Sequence, residues 1–175
     1  MNDAQLRSLV TEVTDFPRPG VSYKDITPLL ASPSGFDAAL SALATPIDAA
    51  QPAALLAIES RGFVFGAALA DRLRLPLQLV RKRGKLPRRA VGIAYELEYG
   101  EDHLEIHADS LVPGGRYAIV DDVLATGGTA AAVAELVEAE GSVVACLAFL
   151  IELDALAGRR RLGDRPVASL LRYSD

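Results

Sequence analysis

Residues Tyr117–Thr129 read YAIVDDVLATGGT. An apolar run ends in two adjacent carboxylates, Asp121 and Asp122, and a Thr-Gly-Gly-Thr turn leads into Ala130–Glu140, which has the composition of a helix. Each part has its own chemistry. Gly127 and Gly128 can take positive φ and let backbone N–H groups approach an oxyanion closely. The positive end of the helix that follows favours the same anion. Thr126 and Thr129, with Ala125 before them, complete the turn, and the two hydroxyls can donate to the anion's oxygens. Ionised, Asp121 and Asp122 only accept hydrogen bonds, which suits vicinal ribose hydroxyls or a hydrated Mg²⁺ and does not suit phosphate. The stretch therefore predicts a site with a phosphate on one side and a hydroxylated, metal-bearing group on the other.

The flanking sequence predicts the frame that holds this site. Leu55–Ile58, Leu77–Val80, Arg116–Val120, Val143–Ile151 and Val167–Leu171 are short apolar runs with strand character. Gly62–Leu73 and Ala130–Glu140 alternate with them as helices, and Gly141 stands where a helix C-terminal glycine belongs. Strands that are apolar throughout, with helices between them, argue for an α/β fold: a mostly parallel sheet flanked by helices on both faces. Further toward the N-terminus, Leu6, Leu9, Val10 and Val13 are spaced for an amphipathic helix, Phe16-Pro-Arg-Pro-Gly-Val21 is extended by its two prolines, and a helix is expected around Ser34–Ile47. Between Arg81 and Glu101 the pattern dissolves into charge, Gly and Pro, which predicts a long functional loop. Tyr95–Tyr99 and Leu104–Ile106 alternate enough to form its hairpin stem.

Bulk properties narrow the class. At 175 residues, half of them hydrophobic, the chain fits a single domain, 1–175, with a real core. A membrane span needs about 18 consecutive apolar residues and no run approaches that, so no membrane partner is expected. The opening MNDAQLRSLVTEV lacks a basic segment followed by an apolar one, so a secretory signal is not expected either. Cys146 is the only cysteine, which rules out an internal disulfide and a Cys-based zinc site. It lies within a very apolar segment and reads as an inert buried thiol. These features predict a cytoplasmic protein. A net charge of −5 argues against general nucleic-acid binding, although Arg81, Lys82, Arg83, Lys85, Arg88 and Arg89 crowd one stretch that reads as an anion-binding arm.

Ligands of open parallel sheets sit outside the carboxyl ends of the strands. There the sequence offers a second anion turn, Glu59-Ser60-Arg61-Gly62, again just before a helix and suited to pyrophosphate. Two commoner nucleotide motifs are absent: Gly84-Lys85 is followed by Leu86, so there is no P-loop, and no G-x-G-x-x-G follows a strand. The Asp-Asp…Thr-Gly-Gly-Thr pattern resembles the phosphoribosyl-pyrophosphate (PRPP) motif of the type I phosphoribosyltransferases. FPRPGVSYKDITPLL at 16–30, ESRG at 59–62, VRKRGKLP at 80–87 and EYG at 98–100, in that order, resemble the adenine-using branch of that family over nearly the whole chain.

The resemblance implies a type I phosphoribosyltransferase fold with a small N-terminal hood (1–33) and a flexible catalytic loop (81–103). It implies transfer of the phosphoribosyl group from PRPP to adenine, giving AMP and pyrophosphate, with Mg²⁺ present, in a homodimer with no nucleic-acid partner. The 5′-phosphate would sit on Ala125, Thr126, Gly127, Gly128 and Thr129, and the ribose hydroxyls on Asp121 and Asp122. Pyrophosphate would meet Ser60, Arg61 and the loop cations Arg81, Lys82 and Lys85, one of which would serve a partner subunit's site. Mg²⁺ would be held mainly by substrate oxygens and water, with Asp121 and Asp122 as candidate protein ligands. Glu98 would handle the adenine proton, with Glu96 as competitor, and Tyr99 would close over the site. Adenine would be recognised at Val21, Ser22, Tyr23 and Lys24, with Tyr23 and Val123 on either side of the ring; Ser22 stands where an apolar residue is expected. The Ser60–Arg61 bond is expected to be strained or cis. The alternatives are a phosphoribosyltransferase for hypoxanthine, guanine or xanthine, a non-catalytic PRPP or nucleotide sensor on the same fold, and an α/β phosphate binder unrelated to PRPP.

Overall fold

A computed structural model describes residues 1–97 and 100–174, and the chain divides into two compact units, Met1–Ala42 and Leu43–Asp175. The first begins with α1 (Asp3–Arg7), capped by the Asn2 side chain. The amphipathic helix expected through Val13 stops there, and Thr11–Thr14 is instead strand β1. Val10-Thr-Glu-Val-Thr14 is rich in β-branched residues, which suit a ladder better than a helix, and it pairs antiparallel with β2 (Ser22–Asp25). The turn between them holds Asp15 and Gly20 at φ 57° and 85°, with a cis Phe16–Pro17 bond. A short helix, α2 (Thr27–Leu30), follows. Next comes α3 (Pro33–Ala50), whose residues from Leu43 onward belong to the second unit; Leu40, Leu43, Ala44 and Ile47 are its buried stripe.

The second unit is built on β3 (Ala54–Ile58), α4 (Gly62–Leu73), β4 (Leu77–Lys82), β5 (Ala90–Leu97), β6 (Gly100–His107), β7 (Arg116–Leu124), α5 (Gly128–Ala139), β8 (Val143–Leu153) and β9 (Val167–Tyr173). The seven-stranded sheet has the order β5-β6-β4-β3-β7-β8-β9. Strands β4, β3, β7, β8 and β9 are parallel neighbours, and the β5–β6 hairpin adds antiparallel to β4. The mostly parallel α/β sheet thus has the form the apolar runs predict. Its core includes Leu56, Ile58, Ile119, Leu147 and Phe149 from the central strands and Val133 and Val137 from α5, all essentially inaccessible to solvent. Full burial of each such side chain stabilises the fold by about 1.5–3 kcal/mol.

The boundaries differ where sheet pairing, not local composition, decides them. β4 runs two residues past Val80 because Arg81 and Lys82 pair with Glu105 and Leu104. β7 continues through both carboxylates to Leu124, paired along β8. The hairpin is longer than the stem read from alternation, reaching from Ala90 to His107 with Ala90 opposite His107. α5 ends as expected at Gly141, whose φ of 73° lets Gly141 N–H and Ser142 N–H close back onto Glu138 and Val137. Cys146 is buried in β8, and burial pushes its thiol up to about 11, so it is an inert core side chain. No helix among the described residues is long and apolar enough to cross a membrane.

Candidate active site

The carboxyl ends of β3, β4 and β7 open onto one cleft of about 420 Å³ whose lining includes Ser60, Arg61, Lys82, Asp121, Asp122, Val123, Ala125 and Thr129. The two anion turns found in the sequence therefore face the same space, with the acidic pair between them. Next to it is a small pocket of about 70 Å³, formed by the Ala125–Thr129 loop and the start of α5. Gly127 caps that helix at φ 79° with no side-chain cap, so α5 starts at Gly128, two residues earlier than its composition suggests. Gly128 and Thr129 form its first turn, where N–H groups have no partner within the helix. That is the physical basis of an anion seat there.

On the opposite wall, Arg61 caps α4 without a side-chain cap bond. Gly62 follows because nothing larger fits: a Cβ there would come within 2.9 Å of both Asp121 Oδ1 and Val120 O. The start of α4 thus lies directly over the acidic pair. The expected unusual peptide bond is present one position earlier than predicted, as a cis bond between Glu59 and Ser60.

Asp121 and Asp122 are successive residues of one strand, so their side chains leave it on opposite faces. Asp121 Oδ1 accepts the Asp122 N–H at 2.9 Å. Arg61 Nε lies 2.8 Å from Asp122 Oδ2. The contact is an ion pair, and the buried Oδ2 atom accepts no hydrogen bond from the described residues. Burial, and then the negative charge of Asp122, push the Asp121 carboxyl well above its ordinary value of 3.8. Burial also raises Asp122, against the pull of Arg61.

A carboxyl that holds its proton more tightly folded than unfolded costs stability when it ionises. For Asp121 the cost is fully present above its folded pKa and disappears below the ordinary value of 3.8. Asp121→Asn keeps an acceptor for the Asp122 N–H and removes the charge. It is expected to raise the melting temperature of the ligand-free protein at pH 8, by a margin that shrinks as the pH falls and is gone near pH 3.8. Melting curves across that range check this; a gain that grows on acidification would refute the sign.

The basic stretch is tied down by acids. Arg81 Nε and Nη2 approach Glu59 at 3.2 and 3.4 Å, and Lys82 N–H donates to Glu59 Oε2 at 3.0 Å. Burial raises Glu59, but these donors outweigh it and hold the carboxyl below its usual range. Lys82 Nζ lies 3.1 Å from Asp102 Oδ2. Arg81 Nη1 also donates to Lys85 O at 3.1 Å, and Lys85 is exposed on the turn after β4. Of the three loop cations expected at pyrophosphate, only Lys82 lines the cleft. Glu98 and Tyr99 lie outside the described residues. Val21, Ser22, Tyr23 and Lys24 lie at β2 in the smaller unit, where Tyr23 meets Phe16 edge-on at 5.1 Å and Ser22 and Lys24 both contact Glu12.

Sequence reasoning missed four residues here. Tyr95 and Asp102, opposite each other in the hairpin, reach into the cleft. Alternation of Val91, Ile93 and Tyr95 on β5 would have aimed Tyr95 inward. Glu59 was read only as part of a motif. Gly158 carries no local signal at all, yet an added Cβ would sit 2.1 Å from Ala125 O, so it backs the Ala125–Thr129 loop.

The phosphoribosyl transferase domain family matches residues 26–167. An adenine phosphoribosyltransferase of Carboxydothermus hydrogenoformans is 50% identical over 168 residues, which is 96% of this chain and 99% of the relative. The crystal structure of adenine phosphoribosyltransferase from Thermoanaerobacter pseudethanolicus superposes with a TM-score of 0.95 at 43% identity, covering 98% of this chain and 100% of that one. The Saccharomyces cerevisiae enzyme, solved with an imino-altritol bisphosphate and adenine, gives 0.91 at 36% identity over 97% of this chain and 98% of that one.

Proposed function

Since the chain belongs to the phosphoribosyl transferase family, among the adenine phosphoribosyltransferases, we propose that it transfers the 5-phosphoribosyl group of PRPP to adenine in purine salvage, releasing AMP and pyrophosphate. The observation that carries this reading is the single cleft that brings the Arg61 turn, the acidic pair and the Ala125–Thr129 loop together. PRPP has a phosphate at one end, a pyrophosphate at the other and two hydroxyls between. The cleft offers an anion seat, two carboxylates and a second anion seat in that order.

In this reading Ala125, Thr126, Gly127, Gly128 and Thr129 hold the 5′-phosphate, and Asp121 and Asp122 take the ribose hydroxyls. Their negative field favours the cation that develops on the ribose ring as the bond from C1′ to pyrophosphate breaks. Ser60, Arg61 and Lys82 offset charge on the leaving pyrophosphate. The buried Asp122 Oδ2 atom, which accepts no hydrogen bond, and the oxygen-only chemistry of the pair fit Mg²⁺. In this reading the ion is carried mostly by substrate oxygens and water, with Asp121 and Asp122 as candidate protein ligands. Mg²⁺ bound there supplies charge neutralisation for the departing pyrophosphate.

Adenine recognition is assigned to Val21, Ser22, Tyr23, Lys24 and Val123, with Glu98 handling the proton of the imidazole ring and Tyr99 closing over the base. Segment 81–103 acts as the catalytic arm and 1–33 as the hood. One of the loop cations serves a partner subunit's site in a cytoplasmic homodimer. Purified protein given Mg²⁺, PRPP and each purine in turn, with pyrophosphate release followed, is expected to turn over adenine and to leave hypoxanthine, guanine and xanthine at background. No turnover of adenine would sink the reading, and turnover of none would favour a PRPP sensor. In the same assay Glu98→Gln should cost about 100-fold or more in kcat. Glu96→Gln should stay within a fewfold of the parent, and a reversal of the two would exchange their roles.

A further inference from the structure

The cleft that must accept a highly anionic substrate contains more acid than base. Four carboxyl groups line it, Glu59, Asp102, Asp121 and Asp122, against two cations, Arg61 and Lys82. Three of the acids have other work: Glu59 accepts the Lys82 N–H at the start of the basic arm, and Asp121 and Asp122 are assigned above to the ribose hydroxyls. Asp102 has none of these tasks. It sits on β6 opposite Tyr95. One of its oxygens accepts the neighbouring His103 N–H at 2.9 Å, and the other lies 3.1 Å from Lys82 Nζ. The Lys82 side chain is 58% exposed and that of Asp102 only 22%, so the pair is open on the lysine side, toward incoming solute. From Asp102 a chain of two long contacts crosses the cleft mouth: Tyr95 OH lies 3.5 Å from Asp102 Oδ2, and Thr129 Oγ1 lies 3.4 Å from Tyr95 OH.

We propose that Asp102 is an internal counter-ion of the site: it holds Lys82 while the cleft is empty and yields it to the pyrophosphate group of PRPP, so that Asp102 sets how tightly PRPP and pyrophosphate are held. The inference rests on the assignment of Lys82 to pyrophosphate made above. The exchange is physically easy. A half-exposed ion pair is a weak interaction, whereas pyrophosphate with its several charged oxygens offers the ammonium a stronger partner. Burial raises Asp102, but Lys82 outweighs it and the carboxyl stays below its usual range, so it is charged and competes at neutral pH. Asp102 is a positioning residue here, since it acts on substrate only through Lys82.

The test is steady-state kinetics on Asp102→Asn, with Asp102→Ser as a second variant should the amide disturb the hairpin. Removing the competing charge should lower KM for PRPP roughly two- to fivefold. The inhibition constant of pyrophosphate should fall by a similar factor, while KM for adenine stays put. Asp102→Glu, which keeps the charge, should behave like the parent. A purely structural role would raise KM for PRPP or lower kcat alone. An unchanged or raised KM for PRPP in both neutral variants overturns the proposal. Lys82→Met separates it from its premise. If Lys82→Met raises KM for PRPP and abolishes the effect of Asp102→Asn in the double variant, the counter-ion role stands. If Lys82→Met raises KM and Asp102→Asn does nothing, only the counter-ion role falls. If Lys82→Met has no effect, the Lys82 assignment falls and takes the proposal with it.

Discussion

Asp122→Asn is expected to lower kcat/KM for PRPP about 100- to 1000-fold while leaving the protein folded. Asp122 is 4% exposed, and its Oδ2 lies 2.8 Å from Arg61 Nε. One carboxylate thus serves both halves of the proposed reaction. Its charge faces the ring cation as the glycosidic bond lengthens, and it fixes Arg61, the proposed partner of the leaving group. Loss of one preorganised electrostatic group typically costs about 3–4 kcal/mol of transition-state stabilisation, which gives the stated factor. The fold should survive because asparagine has nearly the same shape. Arg61 keeps a 40% exposed side chain and so remains hydrated. Burial already raises the Asp122 carboxyl against the pull of Arg61, so the ionised pair adds little net stability, and melting should shift by only a few degrees. A rate within threefold of the parent, with melting unchanged, would reject the role given to Asp122.

Gly158→Ala is the second large effect, and it falls on a residue far from the motif in sequence. An added Cβ at Gly158 would meet Ala125 O at 2.1 Å and Gly127 N at 2.9 Å. The contact is reciprocal, since a Cβ at Gly127 would meet Gly158 O at 2.4 Å. Two backbones are pressed together here with no side chain between them. The 3₁₀ turn Gly158–Leu162 cannot retreat easily, because Leu162 is fully buried in the core. Gly158 is not among the glycines with positive φ, so the cost of alanine is steric rather than conformational. Relief requires the Ala125–Gly127 segment to move by an ångström or so. Overpacking of this kind costs about 1–3 kcal/mol, and a misplacement of about 1 Å in a positioning element costs on the order of 100-fold in rate. KM for PRPP should rise tenfold or more and the melting temperature should drop, while KM for adenine changes little. Isothermal titration with PRPP and a melting curve would check both; parent-like PRPP binding would show that the loop does not depend on this buttress.

These two sites divide the molecule by what was legible in its sequence. Asp122 could be read because its context is local. An apolar run, two acids, a glycine turn and a helix follow one another within a few residues, and each carries its own conformational preference. The same holds for Arg61 before α4 and for the parallel α/β character of the sheet, since buried strands are apolar on both faces wherever they end up. Readings that depended on pairing partners came out short or shifted. β7 extends past the acids because β8 is long enough to pair with it, and the hairpin reaches Ala90 because His107 lies opposite. The N-terminal helix gave way to β1 because β2 is there to pair with it.

By itself, then, the sequence determined the chemical inventory of the site and the class of fold, since both follow from residue types and short-range periodicity. Only the tertiary structure decided which of the basic residues enter the cleft and which are spent on Glu59. It alone brought Asp102 and Tyr95 into the site, and it alone pressed Gly158 against a loop some thirty residues away. Those outcomes are set by contacts between segments distant along the chain, where the sequence carries the side chains but not their distances.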